Sequence, residues 1–96
     1  MIWIMTATEP KAITISVDGR LADEYVEVLN TSVKQAMAHG RPVHLFLRDV
    51  SSIDESGRAL LGRLAAKGVH LSATGVYNSY IVAEVSASAT PAKARQ

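Results

Sequence analysis

The 96-residue sequence contains no cysteine. That excludes a disulfide frame, a thiol nucleophile and a thiolate-bound zinc, leaves packing as the source of stability, and suits the cytoplasm. An excess of one charge is missing too. Ten basic and nine acidic residues give a net charge of +1 with no block of like sign, so neither a nucleic-acid footprint nor a solvating acidic tail is expected. Composition points instead to an uncharged or protein partner. Long hydrophobic runs are also absent. The opening MIWIM has no basic leader and runs into the polar TATEP, whereas a bilayer span takes about 20 apolar residues. Neither a signal peptide nor a membrane span is expected from it.

What is present is apolar material, 48% of the chain, enough for one core and too little for a second at this length. A single domain over residues 1–85 is expected. The closing SASATPAKARQ is small and polar with no periodic apolar position, so residues 86–96 read as a disordered tail that cannot repay its ordering entropy.

The hydrophobic period changes along the chain. In AITISV, Ile13, Ile15 and Val17 alternate with Thr14 and Ser16, as in a strand with one buried face. Residues 23–39 follow a helical stripe through Tyr25, Leu29, Val33 and Met37, with Val26 and Ala36 beside it. Asp23 is placed to cap that helix, Glu24 and Glu27 to complement its positive end, and Gly40 with Pro42 to stop it. VHLFLR (43–48) is apolar at nearly every position, like a central strand covered on both faces, and VHLSA (69–73) is a shorter companion. Between them a helix carries Gly57, Leu60, Leu61, Leu64 and Ala65 as its stripe. Arg58, Arg63 and Lys67 lie off it as a solvated face, and Gly62 suggests close packing on the sheet. A last short helix is expected from Asn78, with Tyr77 and Val82 stapled around the cap.

Counting MIWIM as a weak first strand, the order is β-β-α-β-α-β-α. This is an α/β domain with a mixed sheet of about four to five strands and packed helices, joined by right-handed crossovers. In such a sheet the loops leaving the carboxyl ends of strands converge on one edge, the usual place for a functional site. DVSSIDES reads as such a loop, and it delivers Ser56 to the start of a helix. Two readings of Ser56 stay open. Asp54 caps the helix and Ser56 merely occupies the first turn, or Ser56 is a charge switch, because unpaired helix N–H groups tolerate a phosphate.

GRL (19–21), VHLFLRDVSSIDESGRALL (43–61) and GVHLSATGVYNSYIVAEV (68–85) together resemble the STAS domains, which include bacterial anti-sigma-factor antagonists. The resemblance covers roughly residues 12–85. The family's signature is an aspartate, two small hydroxyl residues and a glycine opening a helix. Asp54, Ser56 and Gly57 fall on those positions, with Glu55 in place of the first hydroxyl. Phe46 stands where an aspartate is usual inside the central strand, and Ala22 where an acidic residue is common. The resemblance implies a STAS-like fold and a non-catalytic, cytoplasmic signalling module in bacterial transcription regulation. It implies phosphorylation of Ser56 by a protein partner that is both serine kinase and anti-sigma factor. Asp54, Glu55, Gly57 and Arg58 would form the partner-binding loop. The alternative is a STAS-like scaffold, subunit or small-ligand sensor independent of phosphorylation.

Other constellations point elsewhere less strongly. His39, His44 and His70 show no HxxxH pair or carboxylate at ligand spacing, so no metal site is expected. DESGR lacks the leading glycine of a hydrolase elbow, and Gly19, Gly57, Gly62, Gly68 and Gly75 make no phosphate-binding loop. No cofactor is expected. Trp3, the lone tryptophan, either covers an open end of the core or forms part of a homodimer surface if its strand lies at a sheet edge.

Overall fold

Strand β2 (Ile13–Leu21) shows how period two builds the sheet: Ile13, Ile15 and Val17 are fully buried, while Thr14, Ser16 and Asp18 lie on the opposite face. The computed structural model describes residues 1–89. Strand β1 (Ile2–Thr8) pairs antiparallel with β2 through a tight hairpin closed by the Glu9 N–H donating to the Ala12 carbonyl at 2.9 Å. Strands β3 (Val43–Ile53) and β4 (His70–Ala73) add in parallel, and the sheet order is β1-β2-β3-β4.

Helices α1 (Glu24–Met37), α2 (Glu55–Ala66) and α3 (Val76–Ala89) complete the expected order, β-β-α-β-α-β-α. Both parallel crossovers step the same way across the sheet, so a common right hand places α1 and α2 on one face. There Leu45 and Leu47 meet Leu60, Leu61 and Leu64 in one core, together with Val26, Leu29 and Val33. VHLFLR is therefore central, although only one of its faces is covered by helices. His44 and Phe46 point to the other face and remain half-buried.

Three expectations are corrected. The polar stretch DVSSI is strand rather than loop. β3 continues to Ile53, held to the end of β2 by two register shifts, one after Val17 and one after Gly19, and bulges of this kind let a polar strand end keep its pairing. α3 begins at Val76, so Asn78 lies within its first turn. The Asn78 amide is 7% exposed and donates to the Val50 carbonyl at 2.9 Å, tying α3 to β3 in place of capping its own helix, and Tyr77 is half exposed and forms no staple. Finally, α3 runs past the boundary expected at residue 85; the rest of the expected tail, 90–96, lies outside the described residues.

Candidate functional site

The carboxyl ends of β2 and β3 lie side by side, with Leu21 opposite Ile53, and one residue, Asp54, connects β3 to α2. Asp54 is extended and serves as the N-cap, accepting from the Gly57 N–H at 2.8 Å. Its other oxygen accepts from the Asp23 N–H at 3.0 Å, across the gap to the start of α1. The Ser56 hydroxyl donates to the first oxygen at 2.8 Å. Three donors on one carboxylate favour its charged form. The Asp54 pKa is accordingly lowered, first by the Asp23 and Gly57 N–H groups and then by Ser56.

Gly57 is required here by contact. A Cβ at that position would stand 2.4 Å from the Leu21 carbonyl oxygen and 3.0 Å from the Leu21 Cγ. The same carbonyl accepts from the Asp54 N–H at 3.2 Å. The first turn of α2 is thus pressed onto the last residue of β2. Gly62, expected to be the close-packing glycine, has nothing within 4 Å of a built Cβ. It lies in an open groove of about 540 Å³ between α2 and α3, beside Ala59 and Ala66.

Glu55 and Ser56 are exposed and Gly57 is buried. Arg58, expected on a solvated face, is half-buried and forms an ion pair with Glu84 on α3. The expected site residues Asp54, Glu55, Ser56, Gly57 and Arg58 therefore share one corner of the molecule, with Ser56 at its surface. Four more residues belong to it that sequence reasoning did not place there. Asp23 holds φ 56°, unusual for a non-glycine residue, and its backbone N–H reaches Asp54. Although it occupies the N-cap position of α1, its side chain makes no cap bond and instead faces Arg20 at 3.6 Å. At the start of α3, Val76, Tyr77 and Tyr80 are 91%, 51% and 62% exposed, and Tyr77 borders a small cleft with Ile53, Asp54 and Arg58. α3 begins at Val76, ahead of the start expected at Asn78, so all three side chains lie on its first two turns.

A second cluster sits on the open face of the sheet. The register of β3 with β4 sets His44 beside His70, with ring centroids 4.7 Å apart and edge-on, and the His44 Nε2 bonds the Ser72 hydroxyl at 2.7 Å. Partial burial, and then the neighbouring His70 charge, lower the His44 pKa. Beyond it Arg48 donates from its Nε and Nη2 to the two carboxylate oxygens of Asp18, which holds the Asp18 carboxyl below its ordinary pKa. Among the described residues no group of three or more histidine, aspartate or glutamate side chains converges on a metal-sized site. No helix among them is long and apolar enough to cross a membrane. No protein-family model and no curated protein matches this chain.

Proposed function

We propose that this chain is a non-catalytic protein-binding module of the anti-sigma-factor-antagonist kind, acting in the cytoplasm and switched by phosphorylation of Ser56. The observation that carries this reading is the geometry of Ser56: an exposed hydroxyl on the first turn of α2, oriented by the Asp54 carboxylate at 2.8 Å. Transfer of a phosphoryl group from ATP would make an O–P bond at the Ser56 Oγ, release ADP, and send the hydroxyl proton to a base of the partner kinase. The product would carry about −1.5 to −2 charge beside Asp54 and Glu55. Helix N–H groups nearby can donate to such an anion, so the fold survives while the surface becomes more negative.

The partner surface then comprises Asp54, Glu55, Ser56 and Arg58, held in place by the buried Gly57, with the exposed Tyr77 and Tyr80 as aromatic anchors of the type that dominate protein interfaces. A partner pressed there meets new charge and must desolvate it, which changes affinity by a hundredfold for roughly 2.7 kcal/mol. A second reading has its own support. Glu55 already places a fixed negative charge at this corner, so the domain could be a constitutive scaffold in which Ser56 only hydrogen-bonds the cap.

One titration against the physiological partner, an anti-sigma-factor-type serine kinase, separates the two. Under the switch, Ser56→Asp weakens binding at least tenfold, or about 1.4 kcal/mol, while Ser56→Ala binds and resists modification. Under the scaffold, both variants bind like wild type, and that result overturns the switch. Thermal unfolding run alongside should show little change in either variant, because the cap is Asp54.

A further inference from the structure

Strand β1 forms one edge of the sheet. Exposed edges present unpaired N–H and C=O groups, and proteins protect them with lysine, proline, bulges or brevity. β1 has none of these devices. Its seven residues, IWIMTAT, contain no charge and no proline, and its register with β2 runs without a shift. The opposite edge, β4, is only four residues long.

The hairpin's end bonds show which backbone groups are free. At one end the Arg20 N–H donates to the Met1 carbonyl, and at the other the Glu9 N–H donates to the Ala12 carbonyl, each at 2.9 Å. Bonded pairs alternate in an antiparallel ladder. Odd-numbered residues of β1 therefore bond β2, and Ile2, Ile4, Thr6 and Thr8 direct theirs outward. From this we propose that β1 is a homodimer interface, joining two copies of the chain edge to edge about a two-fold axis at Met5.

The strand is its own complement in that register. Ile4 meets Thr6 of the second copy and Ile2 meets Thr8, so every outward residue finds a bonded partner, whereas a shift by two leaves residues at an end unpaired. On the open face Trp3, 62% exposed, lies opposite the small Ala7 of the second copy, and Met5, 49% exposed, lies opposite its equivalent. No like charges meet. Two four-stranded sheets become one continuous sheet, and Trp3 gains cover that its own chain does not supply. This interface is remote in sequence from Ser56 and does not depend on the switch.

Sedimentation velocity from about 1 to 200 µM tests it. Wild-type protein should show a concentration-dependent monomer–dimer equilibrium. Met5→Lys and Met5→Glu should each raise the dissociation constant at least tenfold by placing like charges across the axis, and an equimolar mixture of the two should restore the dimer. Thr6→Pro removes one outward N–H without touching the β1–β2 bonds and is tolerated at an edge, so it should give a folded protein with weakened pairing. Wild-type protein that stays monomeric throughout, as when the edge receives a segment of another protein, overturns the proposal. So does a dimer indifferent to both Met5→Lys and Thr6→Pro, or a mixture that fails to reassociate.

Discussion

Replacing Gly57 by alanine tests the contact on which the site rests, because helix propensity and tertiary packing predict opposite signs. Propensity alone favours alanine over glycine in a helix by about 0.5–1 kcal/mol. The new methyl, however, would stand 2.4 Å from the Leu21 carbonyl oxygen, so α2 must move off β2 by at least about 0.6 Å to reach the 3.0 Å that real contacts respect. Overpacking of this kind costs about 1–3 kcal/mol. The movement also stretches the 3.2 Å bond from the Asp54 N–H to the same carbonyl, with about 0.5–1.5 kcal/mol at stake. The net expectation is a loss of about 0.5–4 kcal/mol, read as a lower urea midpoint and a Tm lowered by roughly 4–8 °C per kcal/mol for a domain this size. Gly62→Ala is the control. Its methyl meets nothing within 4 Å, so the same chemical change one and a half turns along should stabilise by about 0.5–1 kcal/mol. If Gly57→Ala stabilised the protein as much as Gly62→Ala, α2 would not lie against Leu21 and the geometry of the Ser56 corner would be wrong.

Leu61 is completely buried in the core, so Leu61→Ala should lose about 2–5 kcal/mol through transfer and cavity terms; a shift of only a few tenths in urea unfolding would place it outside the core. Asp54→Ala removes the acceptor shared by the Asp23 and Gly57 N–H groups, and both amides should exchange with solvent faster than in wild type. Unchanged exchange would mean that the carboxylate is not what holds the two helix starts together. The His44 pKa lies below its ordinary 6.5 in the folded state, so just below pH 6.5 the unfolded chain binds more protons than the folded one. Stability from this residue is then full above pH 6.5 and declines as pH falls toward the folded value. His44→Asn should flatten the urea-midpoint profile between pH 7.5 and 5, a window separate from that of Asp18 and Asp54, whose lowered values act below pH 3.8.

Local pattern was sufficient for much of this molecule. Alternation at Ile13, Ile15 and Val17 and the four-residue stripe through Leu29 and Val33 identify a strand and a helix because period alone decides which side chains share a face. The stripe through Leu60, Leu61 and Leu64 is buried, together with Leu45 and Leu47 of the central strand, and Asp54 is the cap that one of the two readings of the Ser56 turn named. What pattern does not encode is distance between segments remote in sequence. Only the packed structure decided that Gly57, rather than Gly62, is the glycine under contact, because the obstructing atom is a carbonyl of β2. Only the parallel register of β3 and β4 brought His44 to His70. Asn78 looked like a cap because its side chain can bond a nearby N–H, and the fold offered it the Val50 carbonyl instead. Asp23 reached Asp54 through its backbone N–H, a group every residue except proline possesses and which therefore leaves no mark in a sequence. Periodicity and capping are properties of neighbouring residues and can be read along the chain, whereas the site is a meeting of strand ends and helix starts that exists only once the sheet has set their spacing.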